Sequence, residues 1–291
     1  MNNTVIDLFN GLKAGIEIKI NAPYTYYTQS KYTTYCKEQF KSIDDALNHA
    51  KEFLNNYFEG GILSCDLIDD DWGAYNKEGK KMHDYVAYDI KGMKYNHTLS
   101  FKLFILNNTE DFKNDLENLI NSYNDFINFN DDKLNKEYNL KGFIPCNSWH
   151  TASYSFASSG LYFINKDTLE VKGVCYDWQD YEYSDPSMRD EHDYYIERLG
   201  VNKFASKLQE YAKLLEEQKN KNFCKGAIIE VIKGRKLPKG LTGVVKDTSF
   251  IHDCYKRCQG EYLHLTDGTR INKNNVILKG YVSTLELAKF V

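Results

Sequence analysis

The stretch KGAIIEVIKGRKLPKGLTGVV, residues 225–245, decides how the C-terminal part of this chain folds. Ile228, Glu230 and Ile232 alternate with Ile229 and Val231, the period-two pattern of a short strand. Gly234 permits a tight turn where a side chain would clash. Pro238 fixes φ in the loop, Gly240 and Gly243 supply corners, and Val244-Val245 opens a second strand. Residues 261–266 read as a third strand, Asp267-Gly268 as a hairpin turn, and residues 269–271 as its continuation. Asn274-Asn275-Val276-Ile277-Leu278 ends the module, which spans residues 224–280, with residues 281–291 left as a tail.

This pattern resembles the small KOW/Src-homology-3-like β-barrel domains. The matching residues are Gly226, the Lys233-Gly234-Arg235-Lys236 corner, Pro238, Gly240, Gly243, Asp267-Gly268 and Asn275-Val276. Between Thr248 and Gly260 the chain departs from that pattern, with HDCYKRCQG in place of the expected Gly/Trp-rich hairpin. The resemblance implies a fold rather than one function, because such barrels bind RNA, DNA, peptides or a neighbouring domain.

Upstream, residues 1–221 mix strands and helices without a regular βαβ rhythm, which implies an α+β body. Its sheets are expected to be mixed or antiparallel with packed helices, in two subdomains near 1–140 and 141–221. Residues 15–22, GIEIKINA, alternate as a strand would, and the Tyr/Thr-rich residues 24–36 are also strand-like. Ser42 with Asp45 starts a helix in the manner of a capping box, and Gly60-Gly61 stops it. Residues 62–68, 84–90 and 98–106 read as strands, with Gly92 in a turn, and residues 110–129 as a second helix capped by Thr109. Residues 161–164 and 169–175 form a hairpin around a turn at 165–168, and residues 202–221 a helix with a polar, linker-like tail.

Charge divides the chain unevenly. Residues 224–280 hold 11 Lys+Arg against 5 Asp+Glu, leaving 26 against 36 elsewhere. A basic end on an acidic body suggests two surfaces with different partners. Lys233, Arg235, Lys236 and Lys239 crowd one loop and are the candidate phosphate contacts. Asp177, Trp178, Asp180, Tyr181, Glu182 and Tyr183 open an acidic, aromatic segment suited to a basic protein partner.

Three further groupings hold residue types suited to chemistry. His252, Cys254, Cys258 and His264 offer zinc-type ligands at a spacing unlike the common fingers. Cys146 and His150 would need spatial adjacency and an orienting acid, Asp177 or Asp180, to act as a nucleophile pair. Asp66, Asp69, Asp70 and Asp71 form an acidic knot of the kind that can hold Mg²⁺. None carries a flanking signature, so no cofactor or metal is assigned. The seven Cys include no CxxC pair and are expected to be reduced thiols, mostly buried.

No apolar run reaches the roughly 18–20 residues of a membrane span, and residues 1–12 lack a signal-peptide pattern. The expectation is a cytoplasmic protein without membrane contact. Abundant Asn, Lys, Ile and Tyr point to an A/T-rich bacterium or one of its phages or plasmids. The leading functional expectation is a non-enzymatic, anti-defence type protein of a phage or mobile element that binds and inhibits a host protein, with self-association as a further mode. The alternatives are a nucleic-acid-binding protein acting through the basic module, and a metal-dependent or Cys/His hydrolase.

Overall fold

A computed structural model of the chain describes residues 2–29, 33–36, 38–57, 62–68, 87–92, 100–105, 109–152, 156–180, 198–233, 237–251 and 260–291. Helices and antiparallel sheets alternate along it, so the fold is α+β. The chain divides into two compact units, Met1–Lys13 with Asn118–Val291, and Ala14–Glu117. The division falls within two helices, α1 (Asn3–Asn21) and α3 (Thr109–Asn128).

Helix α1 replaces the strand expected at residues 15–22. Alternation and helical spacing are hard to separate over eight residues, and the residues before them decide the matter. The Asn2 side-chain oxygen accepts the Thr4 N–H at 3.0 Å, opening a helix whose buried residues are Val5, Leu8 and Gly11. Ile18, within the stretch read as a strand, is 49% exposed.

In the unit Ala14–Glu117, β1 (Tyr26–Gln29), β2 (Thr33–Tyr35), β3 (Ile62–Ile68), β4 (Ala87–Gly92) and β5 (Ser100–Ile105) form one antiparallel sheet. Its strand order is β2-β1-β5-β4-β3. Gly92, expected in a turn, pairs with Ile62 as the last residue of β4. Helix α2 (Ile43–Tyr57) buries Ala46, Leu47, Ala50 and Leu54 with Tyr26 and Ile90. Ser42 starts it as expected: its hydroxyl accepts the Asp45 N–H at 3.1 Å and donates to the Asp45 carboxylate at 2.7 Å. The Tyr26 hydroxyl lies 2.8 Å from His49 Nδ1, and burial raises its pKa.

The other unit holds two sheets. Short helix α4 (Asp132–Glu137), capped by Asp131, leads into β6 (Phe143–Ala152), β7 (Phe156–Asn165) and β8 (Val171–Asp180), ordered β6-β7-β8. Leu134, Leu140, Phe143, Leu161 and Phe163 pack together as one buried cluster. Helix α5 (Lys203–Lys219) packs on β6, and its Phe204 meets Phe9, Tyr123 and Phe126 edge-on. It stays helical through most of the stretch read as a linker.

The C-terminal sheet comprises β9 (Ala227–Val231), β10 (Thr242–Ile251), β11 (Gly260–Leu265), β12 (Arg270–Asn272) and β13 (Val276–Tyr281), with a 3₁₀ turn at Lys273–Asn275. The strand order is β12-β11-β10-β9-β13. Strand β10 pairs with β9 through Thr242–Val244, then shifts register after Val245 and pairs with β11. The core alternates as expected on β9, where Ala227, Ile229 and Val231 are buried with Val245, Leu263, Leu265, Ile271 and Val276. Gly268 takes φ +86 in the hairpin turn, a value that favours glycine. Gly243 is not a corner: it pairs with Ile229, and a Cβ there would lie 2.6 Å from Leu265. Among the described residues β12 and β13 are the two ends of an open sheet, not a hydrogen-bonded closed barrel.

Residues 281–291 are built into the fold. Helix α6 (Thr284–Leu287) is capped by Ser283 and buries Leu287, with Ala288 following it. Ala288 meets α1 at Gly11, where an added Cβ would be 2.5 Å from the Ala288 Cβ. The Thr284 hydroxyl donates to Asp7 at 3.2 Å, and the Tyr211 hydroxyl donates to the Thr284 carbonyl at 2.9 Å. No helix among the described residues is long and apolar enough to cross a membrane.

Candidate functional site

The acidic, aromatic residues singled out in the sequence begin on a strand. Asp177, Trp178 and Asp180 lie on β8 in register with Ser159, Ser158 and Phe156 of β7. Strand β8 is an end strand of its sheet, so its far side meets no partner strand among the described residues. Tyr181, Glu182 and Tyr183 lie outside the described residues.

The same sheet carries a feature that composition alone does not reveal. Trp149 of β6 faces Gly160 of β7, and a Cβ on Gly160 would lie 2.1 Å from the indole Cζ2 and Cη2 atoms. A Cβ on Gly173 of β8 would lie 3.5 Å from the same ring. The indole therefore reaches from β6 across β7 toward β8, directly on the backbone, in the space two glycines leave. The Tyr162 ring lies beside it, centroids 4.7 Å apart and tilted 44°. Gly160 is buried beneath, while Trp149 and Tyr162 are half-buried. Further along the strands, His150 Nδ1 is 2.9 Å from the Ser159 hydroxyl, and the Thr151 and Ser158 hydroxyls are 2.9 Å apart. The sequence shows the two glycines within a strand-like region, but only the strand register sets Gly160 opposite Trp149.

Toward α5 the sheet borders a groove of about 1190 Å³. Its charged lining is Glu170, Glu210, Glu216, Lys213 and Lys219, and Asn147, the cross-strand neighbour of Tyr162, reaches it.

Cys146 and His150 point to different surroundings. The Cys146 thiol is fully buried, donates to the Tyr162 carbonyl at 3.2 Å and lies 3.5 Å from Gln209 Oε1. Burial pushes its pKa up to about 12, so at neutral pH it holds its proton and supplies no thiolate. The cross-strand row His150–Ser159–Asp177 puts serine in the middle, whereas a nucleophile triad needs histidine there. Asp66 pairs with Asp89 across β3 and β4, and Asp69, Asp70 and Asp71 lie outside the described residues. His264 Nε2 is 2.7 Å from the Ser249 hydroxyl on the neighbouring strand. His252, Cys254 and Cys258 lie outside the described residues, and among those described no three His, Cys, Asp or Glu side chains cluster as metal ligands. Of the described cysteines, Cys146 and Cys224 are buried, Cys36 and Cys65 partly so, and Cys175 is exposed.

Among the described residues, several cations of the basic module are paired. Lys225 pairs with Glu210 at 3.0 Å, Lys279 with Glu230 at 3.0 Å, and Lys273 with Glu261. Arg270 sits 5.2 Å over the Tyr262 ring. Lys233 and Lys239 are exposed and form no ion pair among the described residues. They flank the loop where β9 turns into β10, and Gly240 N–H closes it onto the Val231 carbonyl at 2.9 Å. Gly234, Arg235 and Lys236 lie outside the described residues. No known protein family, curated protein or solved structure matches the chain.

Proposed function

We propose that the chain is a non-enzymatic interaction protein, of the kind a phage or mobile element directs at its host, which binds and inhibits another protein through β8. The observation that supports this reading is the placement of Asp177, Trp178 and Asp180 on an end strand. An end strand offers unpaired N–H and C=O groups to an incoming segment, and acidic residues on it discourage random edge pairing while favouring a basic partner. The buried, protonated state of Cys146 weighs in the same direction, since it removes the thiol from nucleophilic chemistry.

The test compares wild type with Asp177→Lys/Asp180→Lys as baits in lysate of an A/T-rich-genome bacterium, after circular dichroism shows equal folding. A protein retained by wild type and lost by the variant supports the reading. Identical retention by both, or none with bait at micromolar concentration, overturns it.

A second reading, nucleic-acid contact through the C-terminal sheet, is favoured by Lys233 and Lys239. They flank one loop, exposed and unpaired among the described residues. The strand order, with a 3₁₀ turn before the last strand, supports the KOW/Src-homology-3-like assignment that accompanies it. Such modules serve either function.

A further inference from the structure

We draw no further inference here: the strongest candidate, the half-buried aromatic face that Trp149 and Tyr162 form over Gly160 and Gly173 in the β6-β7-β8 sheet, carries nothing because nothing in the structure shows what covers it.

Discussion

Ser122, on α3, and Asn202, at the start of α5, hold each other by two hydrogen bonds, and Ser122 makes a third to Phe204. The Ser122 hydroxyl donates to Asn202 Oδ1 at 3.0 Å and accepts the Phe204 N–H at 2.7 Å, while Asn202 Nδ2 donates to the Ser122 carbonyl at 3.0 Å. Asn202 Oδ1 also accepts the Ala205 N–H at 2.9 Å, which makes it the helix cap. One pair thus satisfies the first turn of α5 and joins it to α3. Asn202→Ala should cost about 1–2 kcal/mol in urea unfolding, the range for a lost cap. Ser122→Ala should cost about 1 kcal/mol. Because the groups share partners, the double variant should lose less than the two losses added, and a double-mutant cycle measures that difference.

Gly11→Ala should destabilise the fold although alanine is the better helix former by about 1 kcal/mol. The new Cβ would meet the Ala288 Cβ at 2.5 Å and the Leu285 carbonyl oxygen at 3.1 Å. A net loss of about 1–3 kcal/mol is expected from overpacking. Adding Ala288→Gly should restore part of it, since that removes the closer contact. Thermal unfolding of the two variants checks the order.

Alkaline pH should weaken the unit that holds Cys146. The thiol goes from 9.0 to about 12 on folding, so between those values only the folded chain keeps the proton. Its contribution is complete below pH 9 and is lost as pH rises toward 12, on the order of 4 kcal/mol in all. Tyr211, raised from 10.0 to about 12 mainly by burial, adds a decline in the same direction. Stability against pH from 8 to 11, for wild type and Cys146→Ala, should show a shallower slope in the variant. Alkylation at pH 8 with peptide mapping should label Cys175 well before Cys146.

For nucleic acid, Lys233→Glu/Lys239→Glu should lower the dependence of log K on log salt by roughly two units for a duplex oligonucleotide. Lys225→Glu/Lys279→Glu should change it far less, because those two already face Glu210 and Glu230. Equal effects of the two pairs, or no binding at low salt, would remove the second reading.

The α+β class and the C-terminal strands were legible because their signals are local. Alternation of Ala227, Ile229 and Val231, the Asp267-Gly268 turn and the Ser42–Asp45 start each act within a few residues. Helix α1 is misread because Ile16, Ile18 and Ile20 alternate as a strand's residues would, while the helical spacing of Val5, Leu8 and Gly11 and the start at Asn2 lie outside that window. The candidate surfaces were harder. Lys233, Lys225 and Lys279 look alike in sequence, and only the placement of Glu210 and Glu230 separates them. Trp149 and Gly160 become neighbours only through strand register, which a bulge between Pro145 and Asn147 shifts by one residue.

The contact of α6 with α1 has a consequence for synthesis. Thr284 and Asp7 are 277 positions apart, and the groove at Gly11 is filled by Ala288. A chain emerging from the ribosome N-terminus first therefore makes α1 early and must leave the Gly11 face bare until α6 exists. Chains arrested before residue 284 should present it to chaperones or to one another, so premature termination here threatens aggregation as well as loss of function.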